Sequence, residues 1–280
     1  MDFFSDIFQY GYLSNALWAS LLSGVVCALV GTYVVFRRMV FLAGGITHAS
    51  FGGLGIAFYL GANPILGATL FAILSALGIE WASERGHIRE DSAIGIIWSG
   101  GMAIGALFMS LRPGYTSGDL SSYLFGSIIT VTTGDVVALA VLAGVILLAA
   151  LLWHRPVIYT AFDRDFARSQ GVPTRRVSYL MAAVMALAIV LSIRIMGIVL
   201  LLSLVTLPVV IANALTKDYR RILLLAPPLA VAGNVAGLVL SYHYEVPPGA
   251  ATIFTLTLIL AAVKFALILL SLPRNKAKTI

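Results

Sequence analysis

Apolar residues along this chain come in runs of about 20, separated by short polar or glycine-bearing breaks. A helix rises 1.5 Å per residue, so a run of ~20 residues crosses the ~30 Å hydrocarbon layer of a bilayer. Nine such runs can be marked, at about 13–36, 44–61, 64–82, 92–111, 134–153, 177–194, 197–215, 221–242 and 250–272. The pattern predicts an all-α fold, a polytopic transmembrane helix bundle of about nine spans (8–10). Two stretches account for that range. The second run is rich in glycine, with Gly44, Gly45, Gly52, Gly53 and Gly55. Leu120–Thr133 is apolar but short, and reads as a re-entrant or interfacial piece. Pro208 removes one backbone hydrogen bond from the seventh run and predicts a kink there.

Composition agrees with the pattern. The chain is 60% hydrophobic and 11% charged, where soluble domains carry about 25% charged residues. The net charge of +6 would suit nucleic acid if it formed a patch, but the basic residues sit between the runs. With the N-terminus placed outside, Arg37, Arg38, Arg85, Arg89, Arg155, Arg164, Arg168, Arg175, Arg176, Lys217, Arg220, Arg221, Arg274, Lys276 and Lys278 all fall on one side. That asymmetry marks the cytoplasmic face and predicts a cytoplasmic C-terminus. Arg112 and Arg194 fall opposite, and Lys264 lies within a span. The lone Cys27 forms no disulfide within the chain and reads as a small buried hydrophobe. MDFFSDIFQYGY lacks a basic leader region, so no cleavable signal peptide is expected. Small-residue pairs (Gly101/Gly105, Gly233/Gly237, Gly24/Gly31) predict close helix packing, within or between chains. No repeat, low-complexity linker or soluble domain is visible, so residues 1–280 read as a single membrane domain.

The longest polar excursion is 155–176. Asp163, Phe166, Ala167 and Gln170/Gly171 follow one another at spacings of 3 and 4, one side of a short helix. Gly171 supplies a stop, with Pro173 two residues later. This predicts a short helix on the membrane surface, joining two spans and offered to a partner in the water. The alternative is a solvated loop that only links two helices.

Ionisable residues inside spans are few, and they are expensive there. His48 opens the glycine-rich second run, beside Thr47 and Ser50. Imidazole is a common transition-metal ligand and a proton carrier; the plainer reading is a packing histidine bonded to a backbone carbonyl. Glu80, four residues before Glu84, is expected to snorkel toward the interface. Arg194 and Lys264 are expected to reach span ends. Asp135 and Asp119 suit helix starts. His243 and Glu245 are expected on an external loop. His48, His87, His154 and His243 are scattered, and no catalytic set, paired cysteines or GxxxxGK[ST] phosphate loop is present. The chain therefore reads as no enzyme; if ATP drives it, another chain hydrolyses the ATP.

Five stretches, spread over nearly the whole chain, resemble the membrane permeases of bacterial ABC importers for divalent transition metals. They are GTYVVFRRMVFLAGGITHASFGGLG (Gly31–Gly55), SSYLFGSIITVTTGDV (Ser121–Val136), TAFDRDFARSQGVPTRRVSYL (Thr160–Leu180), MGIVLLLSLVTLPVVIANALTKDYRRIL (Met196–Leu223) and VPPGAATI (Val246–Ile253). The resemblance implies a single permease domain in the bacterial inner membrane, working as a homodimer. It also implies a cytoplasmic ATP-binding subunit that docks as a dimer on a coupling helix, here about Ala161–Gly171. Contact there would fall to Ala161, Phe162, Asp163, Phe166, Ala167 and Gly171. An extracytoplasmic metal-binding protein would deliver the ion, zinc or manganese foremost and iron as a third candidate. No tightly bound cofactor is implied, only the transported divalent metal ion. Partners are then a second copy, the ATPase, the binding protein and membrane lipid, with no nucleic acid. One departure stands out. Many relatives carry an aspartate four residues before the histidine of the second span. Here that position is Gly44, while the histidine is kept as His48, so the ion site lacks its hard carboxylate ligand.

Two other classes compete. An ion-gradient-driven secondary transporter or channel predicts paired membrane charges and inverted repeats of broken helices. A membrane-embedded metalloenzyme predicts two or more ligand-grade residues on facing spans.

Overall fold

The computed structural model describes residues 6–7, 9–86, 88–112 and 131–271. These hold α1 (Gly11–Phe36), α2 (Val40–Leu60), α3 (Pro64–Arg85), α4 (Glu90–Ser110), α5 (Thr133–Leu152), α6 (His154–Phe162), α7 (Arg164–Ser169), α8 (Thr174–Leu215), α9 (Tyr219–Tyr244) and α10 (Pro248–Ser271). Nine helical stretches among them are long and apolar enough to cross a membrane, α8 supplying two, Thr174–Ile193 and Met196–Leu215. The nine apolar runs in the sequence each coincide with one of these. The expected re-entrant piece, Leu120–Thr133, lies outside the described residues except for its last three, as do His87 and Asp119.

Local chemistry sets several helix ends. Asn63 caps α3, its side chain accepting from the Ile65 amide at 2.9 Å, with Pro64 in the first turn. Thr132 and Asp135 form a reciprocal capping box at the start of α5, the role expected of Asp135. Asp218 caps α9 by accepting from the Arg220 amide at 2.8 Å.

A 42-residue helix such as α8 would be far too long for one crossing. At Gly197 the backbone leaves the helical region (φ 76, ψ 168), and there the chain reverses. Contacts fix the reversal. Arg175 near the start of α8 meets Glu84 near the end of α3, while Tyr219, just past the end of α8, meets Phe36 at the end of α1. Both ends of α8 thus lie at the same, basic end of the bundle. The second half runs parallel to α1, with Ser23 against Met196 and Gly31 against Val205. Gly197 is the one residue of α8 with non-helical dihedrals, and helical dihedrals continue through Pro208, where the kink was expected.

The core lies around α1, α2 and α8. In their apolar windows α1 is 72% and α2 78% buried, against 6% for α10, which puts α10 on the outside of the bundle. Backbones approach closely wherever small residues meet. A methyl added at Gly53 of α2 would lie 2.1 Å from the Gly67 carbonyl oxygen of α3. Gly52 and Gly55 of α2 meet Gly101 and Gly105 of α4 in the same way, and Gly233 and Gly237 of α9 meet Leu256 and Thr252 of α10. The small-residue pairs therefore pack helices within one chain. At the end of the bundle opposite the basic one, Tyr242 of α9 donates to Asp6, and Ile7, Leu13, Ala16 and Leu238 close a small apolar cluster. His243 is in the last turn of α9, its Nδ1 2.9 Å from the Val239 carbonyl, rather than on a loop; Glu245 ends that helix with φ 52.

Candidate functional site

The 155–176 segment forms two short helices instead of one. α6 continues from α5 and ends at Phe162. Asp163 then takes an extended conformation (φ −153, ψ 107) and caps α7, its Oδ1 accepting from the Asp165 and Phe166 amides at 2.9 Å each. So Asp163 starts the helix on whose side it was expected. At the far end the Gly171 amide bonds the Arg168 carbonyl and the Val172 amide bonds the Ala167 carbonyl. With Gly171 at φ +75, this is a Schellman stop.

The six residues expected to face a partner divide in two. Phe162 (58% exposed), Phe166 (48%), Asp163 and Gly171 are exposed, while Ala161 and Ala167 are buried against the bundle. The alanines seat the helices; the outward features are two rings and a carboxylate. Those rings are supported from beneath. Phe162 packs against Phe36 at 5.1 Å and Tyr219 at 6.0 Å, and Phe166 against Tyr159 at 5.4 Å. Such tilted and edge-on aromatic contacts hold ring orientation as well as area.

A buried charge cluster ties this segment to the spans. Glu80 is 2% exposed, inside the last turns of α3. It does not snorkel. Arg37 Nη2 donates to both its oxygens, at 3.0 and 3.2 Å, and Arg164, the first residue of α7, donates to Oε1. Arg37 also reaches Glu90 of α4 at 3.3 Å and the Tyr33 hydroxyl at 3.0 Å. Two cations thus meet two carboxylates from four elements. Arg175 of α8 and Glu84 of α3 pair nearby at 3.1 Å. Sequence reasoning placed these charges at span ends but could not pair them.

His48 is half-buried on α2, and its ring lies flat on the Trp98 indole of α4, centroids 4.4 Å apart and planes 7° from parallel. The same indole covers Gly44: a methyl there would sit 3.4 Å from the Trp98 ring and 3.6 Å from Leu202. A side chain at this position would begin in ordinary contact with aromatic and aliphatic carbon. No group of three or more His, Cys, Asp or Glu side chains clusters as a metal site among the described residues. The stack leaves the ring nitrogens as the polar handles of His48. A cavity of about 460 Å³ lies between α1, α5, α6, α8 and α9 and is lined mostly by hydrocarbon, including Leu29, Ile146, Leu180 and Val184. It offers no oxygen or nitrogen set to replace the water shell of a divalent ion.

The model of the ABC 3 transport family matches residues 9–267. A manganese transport system membrane protein, MntC of Halalkalibacterium halodurans, is 31% identical over 99% of this chain and 93% of its own length. An uncharacterized membrane protein of Synechocystis is 34% identical over 88% of this chain and 87% of its own. Among solved structures, PsaBC from Streptococcus pneumoniae in complex with Fab superposes with a TM-score of 0.82 at 26% identity, covering 93% of this chain and 94% of that one. The fold, the order of the motifs and this match agree: the chain belongs to the ABC 3 transport family, as a multi-pass, all-helical membrane permease whose ATPase is a separate chain.

Proposed function

We propose that this chain forms, as two copies, the membrane path of an ATP-driven importer of divalent transition metal ions, with manganese the first cargo to test. The family match over residues 9–267 carries this reading, and the name of the manganese-system relative supports the cargo. Iron and zinc are the other cargoes, and the uptake test below separates them. The basic end faces the cytoplasm, following the positive-inside asymmetry. There a dimeric ATPase docks on the 155–176 segment. Phe162, Asp163 and Phe166 make the contact, Ala161 and Ala167 seat the helices, and Gly171 fixes the exit. An extracytoplasmic binding protein delivers the ion to the opposite end. ATP-driven closure of the ATPase dimer pushes α6 and α7 and shifts packed helices as rigid bodies, switching access from one side to the other. His48 lies on the ion path. Its imidazole, without a carboxylate at Gly44, suits zinc better than manganese, so a manganese ion would meet it only in a brief, weak contact.

An ion-gradient-driven transporter does not fit a permease whose ATPase is a separate chain, and Arg37, Glu80 and Arg164, the charges a transport relay would need, pair with one another at the basic end. The test is uptake of labelled manganese, iron and zinc by cells carrying the permease, its ATPase and its binding protein, for the native chain and for His48→Ala. ATP-dependent uptake of one metal, reduced at least about tenfold in His48→Ala, is expected. Uptake that persists with an ATPase unable to hydrolyse ATP would overturn the ATP-driven reading. Uptake unaffected by the substitution would remove His48 from the path.

A further inference from the structure

A carboxylate inside an apolar helix is stable only when its charge is met at close range. Glu80 has two cations where one would serve. Arg37 already spans both of its oxygens, and it belongs to the spans: it caps α1 and holds Glu90 at the start of α4. Arg164 comes from elsewhere. It opens α7, a six-residue helix too short to persist alone, joined to its neighbours through Asp163 on one side and residues 170–173 on the other. The Arg164 bond therefore attaches α7 to α3 in particular, rather than simply to its sequence neighbours α6 and α8.

What α3 touches gives that attachment its consequence. At Gly67 its backbone lies against Gly53 of α2, and α2 lies against Gly101 and Gly105 of α4. Backbone contacts of this kind have no side-chain slack, so α2, α3 and α4 move together. The block includes His48 and Trp98, and Arg37 and Glu90 tie its basic end to α1.

We infer that the Arg164–Glu80 pair is the link through which α7 moves the α2–α3–α4 block, Arg164 being the mobile cation and Arg37 the fixed one. Both are positioning residues, touching neither ATP nor the transported ion. The inference rests on the coupling role proposed for the 155–176 segment. It adds that force enters the spans at α3, where a route along the chain would enter at α5 and α8.

The test uses the complete importer, permease with ATPase and external binding protein, in proteoliposomes with manganese(II) as the transported ion. ATP hydrolysis, uptake and thermal midpoint are measured together for the native chain, Arg164→Ala, Arg164→Gln, Arg164→Lys and Phe162→Ala/Phe166→Ala. Arg164→Ala and Arg164→Gln are expected to keep hydrolysis while uptake per ATP falls about 5- to 150-fold, the usual span of coupling energies. Arg164→Lys, which keeps the charge, should recover most of it. A merely structural Arg164 would lower the thermal midpoint and the amount of complex but leave uptake per ATP unchanged in what remains, and that result overturns the link. If Arg164→Ala does not assemble, Arg164→Gln and Arg164→Lys decide alone: equal uptake per ATP in the two overturns it. The double phenylalanine variant separates the two readings. Loss of coupling there with none in the Arg164 variants defeats only the Glu80 link; no loss in either defeats the coupling segment itself.

Discussion

The two ends of α3 are held by opposite means. At Gly67 it meets α2 through bare backbone, so near that a methyl at Gly53 would fall 2.1 Å from the Gly67 carbonyl oxygen and 2.4 Å from Phe71 Cβ. At Glu80 and Glu84 it meets α1, α7 and α8 through Arg37, Arg164 and Arg175, at reaches set by long side chains. In a membrane there is little hydrophobic gain in bringing helices together, so small residues and polar pairs do most of the holding. The contrast concerns compliance. A glycine contact admits no rearrangement, whereas a guanidinium on a flexible stem holds a direction while the backbone behind it shifts. The stiff joint lies between spans. The compliant one lies where the proposed coupling helix meets them.

The contrast breaks most decisively at its charged end. Glu80→Ala leaves Arg37 with Glu90 alone and Arg164 with no carboxylate, and removing one partner of a buried pair costs about 3–5 kcal/mol. We expect a large fall in the thermal midpoint of the purified permease and little folded protein at growth temperature. An unchanged midpoint would mean that water reaches the cluster and that the compliant joint is no joint. At the stiff end, Gly53→Ala should cost about 1–3 kcal/mol, because α2 and α3 must separate to admit the methyl. The same midpoint measures it. Wild-type stability in Gly53→Ala would show that the helices slide freely there, and the block would lose its rigidity. Restoring space with a second substitution should not help, since Gly67 has no side chain to shorten.

How much of this was legible depends on range. Each span was readable because ~20 apolar residues in sequence answer to one physical dimension, and the cap at Asp135 and the stop at Gly171 because caps act within four residues. The surface helix at 155–176 was visible as polarity between apolar runs, although Asp163 turned out to cap α7 and Ala167 to face inward. Glu80 was not legible. Its partners stand 43 and 84 positions away, and a lone glutamate near a span end looks the same whether it snorkels or is clamped. Gly44 was legible as a missing carboxylate, but not its neighbour, because Trp98 lies on another helix. The signal for Glu80 was present only as a coincidence: arginines at 37 and 164 open or close elements at the same end of the bundle as residue 80.

A smaller effect tests the surface helix. Gly171 sits at φ +75, where a side chain costs about 1 kcal/mol, although its surroundings hold nothing within 4 Å of the added carbon. Gly171→Ala should therefore fray α7 without disturbing the spans. Amide hydrogen exchange would show it as faster exchange at Gln170–Val172 and Ala167, with span amides unchanged. Gly171→Asn, which tolerates that region better, should lie between. Equal protection in all three would mean that α7 is held by Arg164 and its aromatic contacts rather than by its own stop.

The smallest expected effect uses a glycine of the other kind. Gly144 lies in α5, exposed, with nothing within 4 Å of an added methyl. It has neither the positive φ of Gly171 nor the backbone neighbour of Gly53. Alanine at such a position lowers the entropy lost on forming the helix, so Gly144→Ala should be neutral or stabilising by up to ~1 kcal/mol. The comparison with Gly53→Ala then isolates backbone contact as the cause of the larger loss, since the chemical change is identical. The assembled importer adds a second reading. If Gly144→Ala is harmless in the isolated permease but lowers the midpoint of the complex, another chain's backbone comes as close to α5 as α3 comes to α2. The stiff joint would then recur between subunits, and α5, which shows only 22% burial in its apolar window, would be the helix on which the two copies meet.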